Sequence, residues 1–141
     1  MESRLANIER MELVRLSTGE DILESLTAFV AESGIEFGVI LNGVGSASRY
    51  RVHVVETTRI PPGDVFFEDV GPYDILNING FIIDGRVHAH ITLSNTTGAL
   101  GGHLEKGTQV LTFVAVTIAQ VAQADISGWD TSSVTDMSYM F

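Results

Sequence analysis

Val87-His88-Ala89-His90-Ile91-Thr92-Leu93-Ser94 alternates apolar and more polar side chains over eight residues. A β-strand sends successive side chains to opposite faces, so this period of two marks a half-buried strand and not a helix. Val87, Ala89, Ile91 and Leu93 are expected to face a core, leaving His88, His90, Thr92 and Ser94 on the other face. One segment therefore carries both a fold signal and a candidate site.

Working outward, residues 11–16, 37–41, 49–57, 65–70, 75–83 and 110–121 also read as strands, on β-branched content and Gly-rich boundaries. Asn42-Gly43-Val44-Gly45-Ser46 reads as a break and connection, and Pro61-Pro62-Gly63-Asp64 as a turn. Residues 21–33 form the one helical pattern. Ile22, Leu23, Leu26, Phe29 and Val30 fall on one face, Thr18 or Gly19 is placed to cap the start, and Gly34 to stop the end. A strand, a helix and then mostly strands predict an α+β domain with an antiparallel or mixed sheet.

Composition bounds the function. At 141 residues and 45% hydrophobic content, the chain suits one domain with one core. No apolar run reaches membrane-helix length, and residues 1–17 mix charge with apolar residues, unlike a secretory leader. The absence of cysteine excludes disulfides and thiolate metal sites and suits a cytoplasmic location. Eight basic residues face eighteen acidic ones, for a net charge of −10, so binding to nucleic-acid phosphates would need a local basic patch. The one basic cluster is Arg49-Tyr50-Arg51, with Arg59 further along, and it reads as a solvated strand face. Glu68 and Asp69 are adjacent, so a strand would point them to opposite sides as surface charges.

The chemistry concentrates in the histidines. His88 and His90 lie about 6.5–7 Å apart along a strand, and their imidazoles can converge on one ion at about 2.0–2.1 Å per Zn–N bond. His103 follows in Gly98-Ala99-Leu100-Gly101-Gly102-His103-Leu104-Glu105, where the glycines permit a tight turn or a close backbone approach. Three histidines with an open fourth position describe a catalytic type of zinc geometry, although imidazole also suits copper, nickel and iron. Glu105 is placed as a fourth ligand or a base, and His53 is a further candidate. The alternative is a metal-free imidazole cluster, hydrogen-bonded internally or acting as a pH sensor. No Gly-x-Ser-x-Gly elbow is present, and Gly43-Val44-Gly45-Ser46 lacks the lysine of a phosphate-binding loop.

Three stretches together resemble the PPC (plants and prokaryotes conserved) domain. They are Gly19-Glu20-Asp21-Ile22-Leu23-Glu24-Ser25-Leu26 with the loop 42–46, Gly71-Pro72-Tyr73-Asp74-Ile75-Leu76-Asn77-Ile78-Asn79-Gly80, and His88 through His103 with the apolar strand 110–121. The resemblance implies a twisted, mainly antiparallel sheet with one or two packed helices, assembled as a homotrimer. It also implies a divalent metal, zinc among the candidates, at His88, His90 and His103, near a subunit boundary where His103 could complete a neighbour's site. Plant members bind AT-rich DNA through an Arg-Gly-Arg-Pro core, which this chain lacks. The functions implied are thus a regulatory binding and assembly module with a metal site, a DNA-binding protein, or a metal-dependent hydrolase or lyase with Glu105 as base. Residues 1–123 are assigned to this domain. Residues 124–141 are rich in Ser, Thr and Asp and resemble one unit of a BspA-like surface repeat.

Overall fold

The alternating segments become a six-stranded sheet with one helix in the computed structural model, which describes residues 1–122. The elements are β1 (Ile8–Ser17), α1 (Ile22–Ser33), β2 (Phe37–Val55), β3 (Asp64–Ile83), β4 (Arg86–Ser94), β5 (Ala99–Leu104) and β6 (Gln109–Val121). The strand order is β1-β6-β2-β3-β4-β5, with antiparallel pairing throughout the described residues, as the α+β expectation required. β5 also pairs with β2, so β2, β3, β4 and β5 close into a ring. The repeat-like segment 124–141 lies outside the described residues.

Sequence patterning explains which faces are buried. Ala89, Ile91 and Leu93 of β4 are buried, and they share one core cluster with Ile78, Ile82, Val114, Val116 and Ile118. Ile22, Leu26 and Val30, at helical spacing, bury the inner face of α1 in the same cluster. Asp21 caps the helix, its side chain accepting the Glu24 N–H at 2.9 Å, in place of the expected Thr18 or Gly19. Thr18 instead donates its hydroxyl to the Thr112 carbonyl at 3.1 Å. Gly34 ends the helix with φ 69°, a left-handed conformation that suits glycine. α1 is not long and apolar enough to cross a membrane.

Two expected boundaries dissolve. Residues 42–48 are not a connection but the middle of the 19-residue β2, and 71–74 likewise run through the 20-residue β3. Irregular register, with shifts between Ile40 and Asn42 and again around Ala47, accommodates the glycines without ending the strand. Residues 99–104, where a tight turn or a close backbone approach was expected, are the strand β5, and the close approach holds. Their glycines admit neighbouring backbone. A Cβ at Gly101 would lie 2.7 Å from the Ile91 carbonyl oxygen, and one at Gly102 2.7 Å from that of His53.

A buried hydroxyl ties the ring to the helix. Thr108 is fully buried, and its Oγ1 lies 3.1 Å from the carbonyl oxygens of both Arg51 and Glu105. The same oxygen accepts the Arg51 N–H at 3.0 Å, while the Thr108 carbonyl accepts the Ile22 N–H at 2.9 Å. Thr108→Val keeps the shape and the backbone bond to Ile22 but takes the hydroxyl partner from the Arg51 N–H and the Glu105 carbonyl. Denaturant unfolding is expected to register a loss of about 1–3 kcal/mol.

Candidate metal centre

Strand register brings the histidines together. His103 on β5 lies directly across from His90 on β4 and, on its other side, directly across from His53 on β2. The three therefore form a row across three adjacent strands, and His88 joins from two residues along β4. In strand pairs, opposed Cβ atoms lie about 4.5–5.5 Å apart, so a row of this kind forces its rings into contact. The His53 and His103 rings stack at a centroid distance of 4.3 Å and an interplanar angle of 22°. The His88 and His103 rings meet edge-on at 4.5 Å. The His90 ring is 5.2 Å from that of His88 and 5.8 Å from that of His103.

The nitrogen atoms are placed as follows. His103 Nε2 lies 3.2 Å from His88 Nδ1. On the opposite ring edge, His103 Nδ1 lies 3.2 Å from Glu105 Oε1. The same carboxylate oxygen is hydrogen-bonded to His53 Nδ1 at 2.5 Å, and His53 Nε2 is 3.6 Å from Asp64 Oδ1. His53, His103 and Glu105 present ligand atoms that all lie within 4.8 Å of one another, an arrangement that can hold a metal ion. Glu105 is held from below, since its N–H donates to the Arg51 carbonyl at 3.0 Å and its own carbonyl receives Thr108.

Electrostatics favour neutral imidazoles, the form that binds metal. Burial, followed by the neighbouring His103, His90 and His53, lowers His88 from its ordinary value to about 4. Burial and then His103 and His53 also lower His90. A cleft of about 430 Å³ opens over the histidines, walled by Val54, Val55, Pro62 and Asp64. The His53, His103 and Glu105 group thus offers two nitrogens and one oxygen beside that cleft.

The predicted trio of His88, His90 and His103 thus shares one face of one chain, with His103 approaching His88 of its own subunit. His53, a further candidate from the sequence, stacks on His103, the ring at the centre of the cluster. Asp64 escaped attention because it was read as part of a turn; only the β2–β3 pairing of Val55 with Asp64 brings it near. The basic cluster proves to be a strand face paired with acid: Glu68 lies 3.6 Å from Arg49 and 3.9 Å from Arg51. Asp69 points elsewhere and accepts the Tyr73 hydroxyl at 2.6 Å.

Residues 4–122 match the Plants and Prokaryotes Conserved (PCC) domain, and the chain belongs to that family. A plant- and prokaryote-conserved protein from Pyrococcus horikoshii has a similar structure, with a TM-score of 0.73, 25% identity, and coverage of 86% of this chain and 85% of that one. A metal-containing protein from Archaeoglobus fulgidus shares the fold at a TM-score of 0.75 and 22% identity, covering 86% of each chain. In sequence, 107 residues are 27% identical to the bifunctional protein GlmU of Synechococcus sp. (strain JA-2-3B'a(2-13)). That match covers 75% of this chain but 16% of GlmU, so the chain spans about a sixth of that relative's length.

The lowered His88 value fixes the sign of a pH effect. An unfolded chain protonates this imidazole near its ordinary value of about 6.5, whereas the folded one stays neutral down to about 4. Between those values the unfolded state binds more protons, so stability is full above about pH 6.5 and falls as the pH drops towards 4. Thermal melts of metal-free protein at pH 7 and pH 4.5 should show this loss, and His88→Asn should reduce it. An unchanged loss in the variant would assign the acid sensitivity to other groups.

Proposed function

We propose that this member of the PCC-domain family is a cytoplasmic, self-assembling binding module that holds a divalent metal on His88, His90 and His103 and serves a regulatory role. The observation that carries the metal reading is the 3.2 Å approach of His103 Nε2 to His88 Nδ1, with His90 on the same face. Two donors each about 2.0–2.1 Å from a tetrahedral ion lie about 3.3 Å apart, so these two nitrogens already stand at ligand spacing. The Archaeoglobus fulgidus protein of the same fold is described as metal-containing, which supports this reading.

Assembly as a homotrimer is supported by the sheet's outer face. Val44, Leu76, Leu111 and Phe113 line one shallow depression there and are 51%, 52%, 37% and 39% exposed. Met11, Leu13 and Leu41 are exposed apolar residues of neighbouring strands. A soluble monomer rarely leaves so many large apolar side chains in contact with water, and a second copy of the face is a suitable cover. Duplex DNA is a weaker candidate partner, because Arg49 and Arg51 share Glu68 and the chain carries a net charge of −10.

A metal-dependent hydrolase or lyase is the second reading. It is favoured by the cleft of about 430 Å³ beside the histidines, a volume within the roughly 300–1,000 Å³ common for ligand sites. In that reading Glu105 would serve as base, reaching the open side of the metal.

Two measurements on untagged protein test the proposal. His88→Ala with His90→Ala should remove one equivalent of zinc per chain on dialysis while the mass by light scattering stays that of three chains. A double variant that keeps its full zinc load would refute the site. Phe113→Glu should convert the trimer to monomer, and an unmoved mass would place the interface elsewhere.

A further inference from the structure

The two edges of His103 face different donors. Nε2 faces His88, and Nδ1 faces Glu105, each at 3.2 Å. The lone-pair directions of an imidazole's two nitrogens diverge, so a single ion cannot use both edges. Both separations match the roughly 3.3 Å expected between two ligands of one tetrahedral ion. Donors thus stand at each edge: His88 at one, with His90 on the same strand face, and His53 and Glu105 at the other.

We infer that the centre holds two divalent ions bridged by the His103 imidazole, the second on His53, Glu105 and His103 Nδ1. This rests on the reading of His88, His90 and His103 as the first site. Glu105 Oε1 stands within reach of both His53 Nδ1 and His103 Nδ1, and the three groups converge within 4.8 Å. Entry of the second ion replaces the His53–Glu105 hydrogen bond by two coordination bonds, and the proton of that bond passes to His53 Nε2, the ring edge that Asp64 faces. The remaining ring proton of His103 leaves to solvent, as ligation of a protonated donor requires. Glu105 and nearby Asp64 supply negative charge against two dications, and Asp64, 3.6 Å from His53 Nε2, can hold the outer edge of that ring. The cleft over all four histidines leaves room for solvent ligands on both ions. The chemical class is a borderline transition-metal dication, since imidazole dominates and no thiolate is present.

The experiment is zinc stoichiometry on the full, untagged chain, by elemental analysis after equilibration with excess zinc chloride and removal of the unbound ion. Two equivalents per chain are expected. Glu105→Gln, which preserves shape, and His53→Ala should each leave one, as should His88→Ala with His90→Ala. Far-ultraviolet circular dichroism of the metal-free variants checks that they fold. Copper(II)-loaded protein supplies a second readout, because imidazolate-bridged ions couple and the resonance signal per copper falls below that of the one-ion variants. One equivalent in the wild type, with Glu105→Gln also binding one but about 10–100-fold more weakly, would overturn the second ion and make Glu105 the residue that orients His103. No bound zinc at all would remove the first site together with the second.

Discussion

Strand β5 is hydrogen-bonded along both of its edges, to β4 and to the far end of β2. This double pairing closes the ring, and it is the reason His90, His103 and His53 stand side by side. Backbone sterics decide whether it can happen. The 2.7 Å gaps to carbonyl oxygens that a Cβ would face at Gly101 and Gly102 leave no room for a larger residue in the same backbone. Two glycines before a histidine therefore do more than turn the chain: they let a six-residue strand fit between two others.

The polar face of β4 can be used in this way because its other face is fully committed. Ala89, Ile91 and Leu93 are 1%, 1% and 0% exposed, so β4 cannot slip by one residue without moving three apolar side chains to the cleft side. Core packing thereby sets the register that aims His88 and His90. The Thr108 knot does the same for Glu105 by fixing the backbone of residues 105–108 to Arg51 of β2 and to the start of α1. Burial of the cluster also lowers the proton affinity of His88 and His90, which keeps their lone pairs available. Folding energetics and ligand chemistry are coupled through the same few strands.

A second consequence concerns the opposite surface. Among the described residues, apolar side chains that a two-layer domain would cover with helices remain exposed on β1, β2, β3 and β6, since α1 covers one face only. Leu16 is buried and Leu13 lies in water on the same strand, an alternation that marks a sheet with two apolar faces. The proposed self-assembly places water-excluded surface where the described residues hold no second helix to supply it.

What the sequence by itself determined was local. Period-two alternation identified the strands and their buried faces, helical spacing identified α1, and two histidines at i and i+2 had to share a face because strand geometry allows nothing else. Motifs spread from residue 19 to residue 103 were enough to suggest the family. Tertiary structure alone decided three things. Glycines in 42–46 looked like a break and those in 99–104 allowed a turn or a close approach, yet both segments are strand, because whether a glycine turns the chain or admits a neighbour depends on what lies across from it. His53 and Asp64 became part of the centre only through the pairing of β2 with β5 and β3. Glu105 gained its place facing both His103 and His53 from hydrogen bonds to Arg51 and Thr108. Cross-strand neighbours are set by long-range register, and that information is not contained in any short window of sequence.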